Sequence, residues 1–107
     1  MRYEAQRSIS PNHPALPGHF PGNPVVPGVV LLSELVGATE AWLHWAHDPV
    51  SVTSVKFMRL LRPGEPFTLQ FERLSENRVS FVVLREQVRI AAGTLERTGT
   101  TTGQART

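Results

Sequence analysis

The chain has 107 residues, 40% of them hydrophobic and 19% charged, which is typical of one small globular domain. It has no cysteine, which excludes disulfides, thiolate catalysis and cysteine-ligated metal sites. The basic residues behind the net charge of +2 are scattered, without the run or stripe typical of nucleic-acid-binding proteins.

No apolar run approaches the roughly 20 residues needed to span a membrane. The N-terminus, Met1-Arg2-Tyr3-Glu4, lacks the apolar core of a signal peptide. We therefore expect a cytoplasmic protein that binds neither nucleic acid nor membrane.

Residues 2–9 alternate loosely between apolar and polar side chains and predict a short strand. An irregular segment follows, from about residue 10 to residue 27. Prolines at positions 21, 24 and 27 each fix one backbone angle, so this loop is stiff although it is irregular. Long ordered loops are often functional, and this one contains His19.

The only long apolar segment predicts a helix from Val29 to His47, ended by Asp48-Pro49. Apolar residues cover most of its circumference, a pattern typical of a buried helix. Beyond it, strand-like alternation appears at 51–60, 67–74, 78–85 and 87–96, with turn signals at 62–65 and 75–77. The alternation favours antiparallel strands with one face in water.

This order of elements predicts an α+β fold, with one long central helix wrapped by a curved antiparallel sheet. We place a single domain at residues 1–97 and a flexible Thr- and Gly-rich tail at 98–107. One small sheet cannot cover a helix that is apolar on all sides. A second copy of the chain is the simplest way to bury the remainder.

The segment His19-Phe20-Pro21-Gly22-Asn23-Pro24-Val25-Val26-Pro27-Gly28-Val29-Val30 resembles the signature of the hotdog-fold 3-hydroxyacyl-(acyl carrier protein) dehydratases of fatty-acid synthesis. Lys56-Phe57-Met58-Arg59, followed by Arg62-Pro63-Gly64-Glu65, resembles the strand and turn after the helix in that family. The resemblance covers roughly residues 3–96. It is nearest to small stand-alone dehydratase-like proteins of fatty-acid, aryl-polyene and pigment pathways.

The resemblance implies a homodimer in which two sheets join edge to edge, with active sites at the interface. Higher oligomers of dimers and a heterodimer are alternatives. It also implies a substrate carried on the phosphopantetheine arm of an acyl carrier protein, and no cofactor held by the protein itself. Lys56, Arg59 and Arg62 are candidates for contacting the carrier protein or the phosphopantetheine phosphate.

Dehydration of a 3-hydroxyacyl thioester needs a base for the C2 proton, an acid for the C3 hydroxyl and donors for the thioester oxygen. His19 fits the base, and the N–H of Gly28, at a helix start, fits the oxyanion donor. Phe20 and Pro27 stand beside them as substrate-binding candidates.

The acid does not follow the family pattern, which has Asp or Glu fourteen residues beyond the histidine, acting on the site of the opposite subunit. Ser33 occupies that position, and Glu34 comes one place later. Three readings remain open. The helix start is shifted so that Glu34 acts, Ser33 acts slowly with a water, or dehydration is lost and acyl binding kept. A non-catalytic Glu34 would need a partner such as an arginine.

Other residues have two readings as well. Ser33 and Gly37, with Ala41 or Glu40, share one side of the helix and form either a groove for an acyl chain or a packing surface. Trp42 and Trp45 are expected to be core or dimer contacts. His44 and His47 have a spacing that suits a metal, but the helix lacks further ligands and we predict no metal site.

Overall fold

The structure is a computed structural model that describes residues 1–13, 25–45 and 48–97. The elements in chain order are β1 (Arg2–Arg7), α1 (Gly28–Leu43), β2 (Val50–Phe57), β3 (Phe67–Arg73), β4 (Arg78–Arg85) and β5 (Val88–Arg97). All strand pairs are antiparallel, in the order β1-β3-β4-β5-β2. The predicted α+β fold is confirmed, and β1 and β2 form the two edges of the sheet.

The core lies between α1 and the inner face of the sheet. On β3 and β4, buried and less buried residues alternate with the two-residue period that the sequence predicts. Burying one large apolar side chain contributes about 1.5–3 kcal/mol, so this layer is the main source of stability. The inner face of these two strands consists of Phe67, Leu69, Phe71, Val79, Phe81 and Val83.

The sequence predicts that the helix continues to His47, and this is wrong within the described residues because α1 ends at Leu43. His44 adopts a left-handed conformation with φ of 58°. The Trp45 N–H then donates to the Glu40 carbonyl at 3.0 Å, which is the closing bond of a Schellman motif. Asp48 does not end the helix but forms an ion pair with Arg97 at 3.3 Å.

Trp45 gives the physical reason for the early end. Its ring is 1% exposed and lies 4.8 Å from the Arg97 guanidinium and 5.9 Å from that of Arg73. A continuing helix would hold the indole on the helix surface, whereas the left-handed residue turns it into the core. Trp42 stacks on Tyr3, with ring centroids 5.3 Å apart. Both tryptophans are therefore core contacts.

Burial of α1 is one-sided, although its sequence is apolar nearly all round. Leu31, Leu35 and Ala38 are buried against the sheet. The opposite side is an open helix face, which we define as the exposed residues Val29, Ser33, Gly37 and Ala41. Val29 is 74% exposed there. The predicted tail at 98–107 lies outside the described residues.

Strand β2 depends on a glycine in its neighbour. The pairing of β2 with β5 shifts register between Val52 and Ser54, which marks a bulge. Gly93 pairs with Val55 just after this bulge, and a Cβ on it would overlap the Ser54 carbonyl oxygen and come within 2.9 Å of the Phe81 ring. Only glycine allows the two backbones to approach so closely.

We predict that Gly93→Ala destabilises the protein by about 1–3 kcal/mol or more, because β2 must move away from β5. Urea unfolding monitored by circular dichroism measures the loss. Gly37→Ala is the matched control, since a Cβ there meets nothing within 4 Å. Helix propensity makes the control neutral or more stable by up to about 1 kcal/mol. Equal losses in the two variants would contradict the close-approach explanation.

Candidate active site at the helix N-terminus

The first turn of α1 is left without a cap. Pro27 stands at the N-cap with φ −61° and ψ 145°, and its carbonyl accepts from the N–H groups of Val30 and Leu31 at 3.0 and 3.3 Å. There is no side-chain cap and no acidic residue in the first turn. The N–H groups of Gly28 and Val29 therefore have no acceptor within the helix. Such N–H groups, at the positive end of the helix dipole, suit an oxygen that gains negative charge.

A cavity of about 300 Å³ opens beside this turn. Its wall is largely apolar and combines the helix start, the end of β2, the following loop and the start of β5. An apolar cavity with a few directed polar groups is the usual form of a small-molecule site. The lining residues are Val26, Gly28, Leu31, Phe57, Arg59, Leu60, Leu61 and Ile90.

Backbone hydrogen bonds hold this cavity together. The Val26 N–H donates to the Leu61 carbonyl at 2.7 Å, which fixes the chain entering the helix. The N–H groups of Met58 and Arg59 both donate to the Ile90 carbonyl, at 2.8 and 3.3 Å. The segment after β2 is therefore held between the helix start and β5.

Gly28 is closely covered by one side chain. A Cβ on Gly28 would lie 3.0 Å from Cζ of Phe57. Phe57 itself is 47% exposed. Glycine thus lets the aromatic ring lie directly on the helix start. The Phe57 ring forms part of the cavity wall beside Gly28, a role that the sequence does not predict.

The predicted catalytic residues are only partly described. His19 and Phe20 lie in 14–24, outside the described residues, whereas Gly28 lines the cavity and Pro27 is the N-cap residue before it. Ser33 is exposed on the open helix face. It stands five residues after Gly28, about 7.5 Å further along the helix axis. Its side chain points away from the core of its own protomer.

Glu34 lies on a different side of the helix from Ser33, since successive helical residues are about 100° apart. Its Oε1 is 3.5 Å from Nε of Arg7 on β1, and the two side chains are 34% and 38% exposed. The arginine expected to accompany a non-catalytic Glu34 is therefore present.

One basic residue lines the cavity, and others lie near it in the chain. Arg59 lines the cavity, and Lys56 and Arg62, three residues away on either side, are exposed. Sequence reasoning misses Arg89, which pairs with Leu84 on the same outer face of the sheet as Lys56. Only the pairing of β2 with β5 brings it close, and its neighbour Ile90 accepts the hydrogen bonds of the segment after β2. We name Lys56, Arg59, Arg62 and Arg89 the basic rim.

Three members of the rim differ from most other arginines in their ion pairs. Five arginines elsewhere form ion pairs with a carboxylate: Arg2, Arg7, Arg78, Arg85 and Arg97. Within the described ranges, Lys56, Arg59 and Arg89 form none, so their charge remains available to an external anion.

Comparison with known proteins identifies the family of the chain. The model of the ApeI-like family, described as ApeI dehydratase, matches residues 1–94. The chain belongs to the ApeI-like dehydratase family. Residues 1–94 include the candidate site and all five strands except the end of β5.

The curated relatives that the chain matches are named as dehydratases. It is 36% identical over 85 residues to the 3-hydroxyacyl-[acyl-carrier-protein] dehydratase FabZ of Oenococcus oeni, covering 71% of this chain and 61% of that protein. It is 35% identical over 83 residues to the FabZ of Chloroflexus aggregans, covering 69% and 58%. The chain thus spans about three fifths of the length of these curated relatives.

Solved structures support the hotdog fold. A chain of the dehydratase heterocomplex ApeI:P from Xenorhabdus doucetiae superposes with a TM-score of 0.79 and 22% identity, covering 92% of this chain and 88% of that one. The fluoroacetyl-CoA thioesterase FlK gives a TM-score of 0.65 and 18% identity, covering 92% and 84%. At such identities the similarity establishes the fold alone.

The described part of the chain has no group of three or more His, Asp or Glu residues placed to hold a metal ion. His44 is exposed after the helix end, and His47 is outside the described residues. No described helix is long and apolar enough to cross a membrane.

We predict that the Arg7–Glu34 pair contributes less than about 1 kcal/mol to stability, because both side chains are more than a third exposed. A double-mutant cycle with Arg7→Met, Glu34→Gln and the double variant, followed by urea unfolding, isolates the coupling. High salt should reduce it. A coupling of several kcal/mol would show that the pair is buried in the working assembly.

Proposed function

We propose that the chain is a 3-hydroxyacyl-(acyl carrier protein) dehydratase of fatty-acid or polyene synthesis, located in the cytoplasm. The observation that carries the proposal is the uncapped start of α1 beside an apolar cavity, directly after the His-Phe-Pro-Gly loop. Membership of a dehydratase family supports the reaction class. The FabZ relatives are named for substrates on acyl carrier protein, which supports the substrate class.

In the proposed reaction His19 removes the C2 proton of the substrate. Negative charge then builds on the thioester oxygen, and the N–H of Gly28 donates to it. Removing one such donor typically lowers kcat by about 10²–10³-fold, so this contribution is large. The apolar cavity limits the access of water and strengthens the donation. Phe20 and Pro27 would hold the substrate next to these groups.

Subunit association completes the proposed site. Ser33 faces away from its own core, and in the family pattern this position acts on the site of the opposite subunit. The free edge of β2 and its surroundings expose Val55, Phe57, Met58 and Leu60, with Leu60 65% exposed. An unprotected strand edge with apolar neighbours suits pairing with a second copy. The proposal is therefore a homodimer joined through β2, and dimers would associate further in any larger oligomer.

The basic rim supports a carrier-bound substrate. Its member Arg59 lines the cavity beside the proposed oxyanion donor, where the phosphopantetheine arm would enter. Three of its members have no ion pair with any residue that the structure describes. A phosphate group or an acidic carrier protein would satisfy this charge.

A second candidate follows from Ser33. A serine hydroxyl has far too high a pKa to be an efficient general acid. In that case the chain is an impaired acyl-binding protein, or the subunit of a heterodimer whose partner supplies the carboxylic acid. The structural match from Xenorhabdus doucetiae is a chain of the dehydratase heterocomplex ApeI:P, and this observation supports the heterodimer. The proposed role of Glu34 as a shifted acid is weaker, because Arg7 holds it on the β1 side of the helix.

We predict a dimer in solution that Val55→Lys dissociates, because the new charge lies at the middle of the β2 edge. Multi-angle light scattering over a range of concentrations measures the mass. Leu74→Lys is the matched control, since Leu74 is also exposed, at 51%, but lies after β3, away from β2. A wild-type monomer mass that does not change with concentration would contradict the proposed dimer.

We predict that the purified chain dehydrates a 3-hydroxyacyl carrier-protein substrate and that His19→Ala lowers kcat by about 10²–10⁴-fold. Ser33→Asp should raise kcat, because it supplies the carboxylic acid where the family has one. No turnover by the wild type, with turnover by Ser33→Asp, would favour the impaired or heterodimeric reading. Loss of turnover in Glu34→Gln would favour the shifted acid.

A further inference from the structure

The turn between β2 and β3, at residues 62–65, is held by both oxygens of one carboxylate. Oε1 of Glu65 accepts from the Arg62 N–H at 2.8 Å, and the Glu65 N–H donates back to the Arg62 carbonyl at 3.2 Å. Oε2 of Glu65 lies 3.4 Å from Nη1 of Arg85 on β4. One oxygen of Glu65 therefore closes the 62–65 turn, and the other attaches it to the sheet.

The 62–65 turn is also attached to the chain that follows β1. Gly64 has a φ of 85°, in the left-handed region that favours glycine. Its N–H donates to the carbonyl of Ile9 at 2.8 Å, and Ile9 is buried in the core. Contacts to Ile9 and to Arg85 thus hold the turn at two separate points of the domain.

A continuous series of contacts connects the 62–65 turn to the proposed oxyanion donor. Leu61, directly before the turn, is buried, and its carbonyl accepts from the Val26 N–H at 2.7 Å. Val26 stands two residues before Gly28, and both line the cavity together with Leu61. A displacement of the turn would therefore move the start of α1 and the Gly28 N–H with it.

Arg85 makes this attachment at a cost to folding. Its Nε is buried and has no hydrogen-bond partner, an exception among buried polar groups. Its contact with Glu65 is a single one, through Nη1, and its other ion pair, 3.9 Å long, is with Glu86, whose side chain is 86% exposed. Local rules of this kind are broken mostly at functional sites, which directs attention to the position of the turn.

We infer that Glu65 and Arg85 are positioning residues, which hold the Gly28 N–H in place through Leu61 and Val26. The inference rests on the proposed dehydratase function and adds two residues to it. Neither side chain lines the cavity. A shift of about 1 Å caused by a change far from the reacting atoms can lower a rate by about 10²-fold. Because the thioester oxygen gains charge in the transition state, the loss should affect kcat rather than KM.

Amide hydrogen exchange, measured residue by residue by NMR, tests the series of contacts without any substrate. Glu65→Gln retains an oxygen for the Arg62 N–H but removes the charge that faces Arg85. We expect the Val26 N–H to exchange at least about 5-fold faster in this variant, because local opening of the turn releases it. The N–H of Phe71, in the middle of the sheet, reports any change in global unfolding.

Turnover of one 3-hydroxyacyl carrier-protein substrate tests the consequence for the site. We expect Glu65→Gln and Arg85→Met each to lower kcat by about 10-fold or more, with KM changed by less than about 2-fold. The double variant should be no slower than the slower single variant, because the two residues act as one unit. Arg85→Lys should keep most of the wild-type kcat, because a single contact needs a charge rather than the guanidinium fork.

Asp48→Asn is the matched control. Asp48 also forms an ion pair with an arginine, 3.3 Å from Arg97, and its side chain is 29% exposed against 30% for Glu65. It lies after the end of α1, whereas the cavity lies at the start. We expect Asp48→Asn to lower the thermal unfolding midpoint about as much as Glu65→Gln does, and to keep wild-type kcat and wild-type exchange at Val26.

Wild-type exchange at Val26 in Glu65→Gln would overturn the inference. So would wild-type kcat in that variant, or an equal loss of kcat in Asp48→Asn, which indicates a general effect of lower stability. These results leave the proposed function standing. Absence of turnover by the wild type would instead overturn the proposed function, and the exchange at Val26 would still decide whether Glu65 holds the start of the helix.

Discussion

A sheet can cover only one side of a helix, and the rest of this molecule depends on that limit. The inner face of the sheet covers Leu31 and Leu35, while Val29, Ser33 and Gly37 remain open on the far side. The same limit leaves β2 as a free edge with apolar neighbours. A helix face and a strand edge that one subunit cannot cover make association with a second subunit the route to burial.

The candidate site arises where these uncovered parts meet. The loop after β2 is tied to Ile90 and Val26 by backbone hydrogen bonds, and the Phe57 ring lies on Gly28. The missing side chain of Gly93 allows β2 to pair closely with β5. The position of β2 therefore determines both the cavity wall and the edge available for pairing. Folding and site formation rest on the same contacts, so a loss at Gly93 should affect both.

Local patterns in the sequence account for most of the fold. The two-residue period of Phe67–Arg73 and Arg78–Arg85 specifies strands because each side chain faces either the core or water. No local sequence signal marks the end of the helix, because that end depends on the packing of Trp45 with Arg73 and Arg97. Both arginines follow much later in the chain. Arg89 at the basic rim and Arg7 beside Glu34 likewise depend on strand pairing, which no local pattern reveals.

Helix geometry determines which side chains of α1 point in the same direction as Ser33. One residue along a helix turns a side chain by about 100°, whereas seven residues return it almost to the same direction. Glu34, adjacent to Ser33, is therefore directed elsewhere and paired with Arg7, while Glu40, two turns away, shares the side of Ser33. Nearness in sequence is thus a poor guide to which side chains share a face of the helix. Gly37 adds no side chain to the open helix face, where a Cβ would meet nothing within 4 Å.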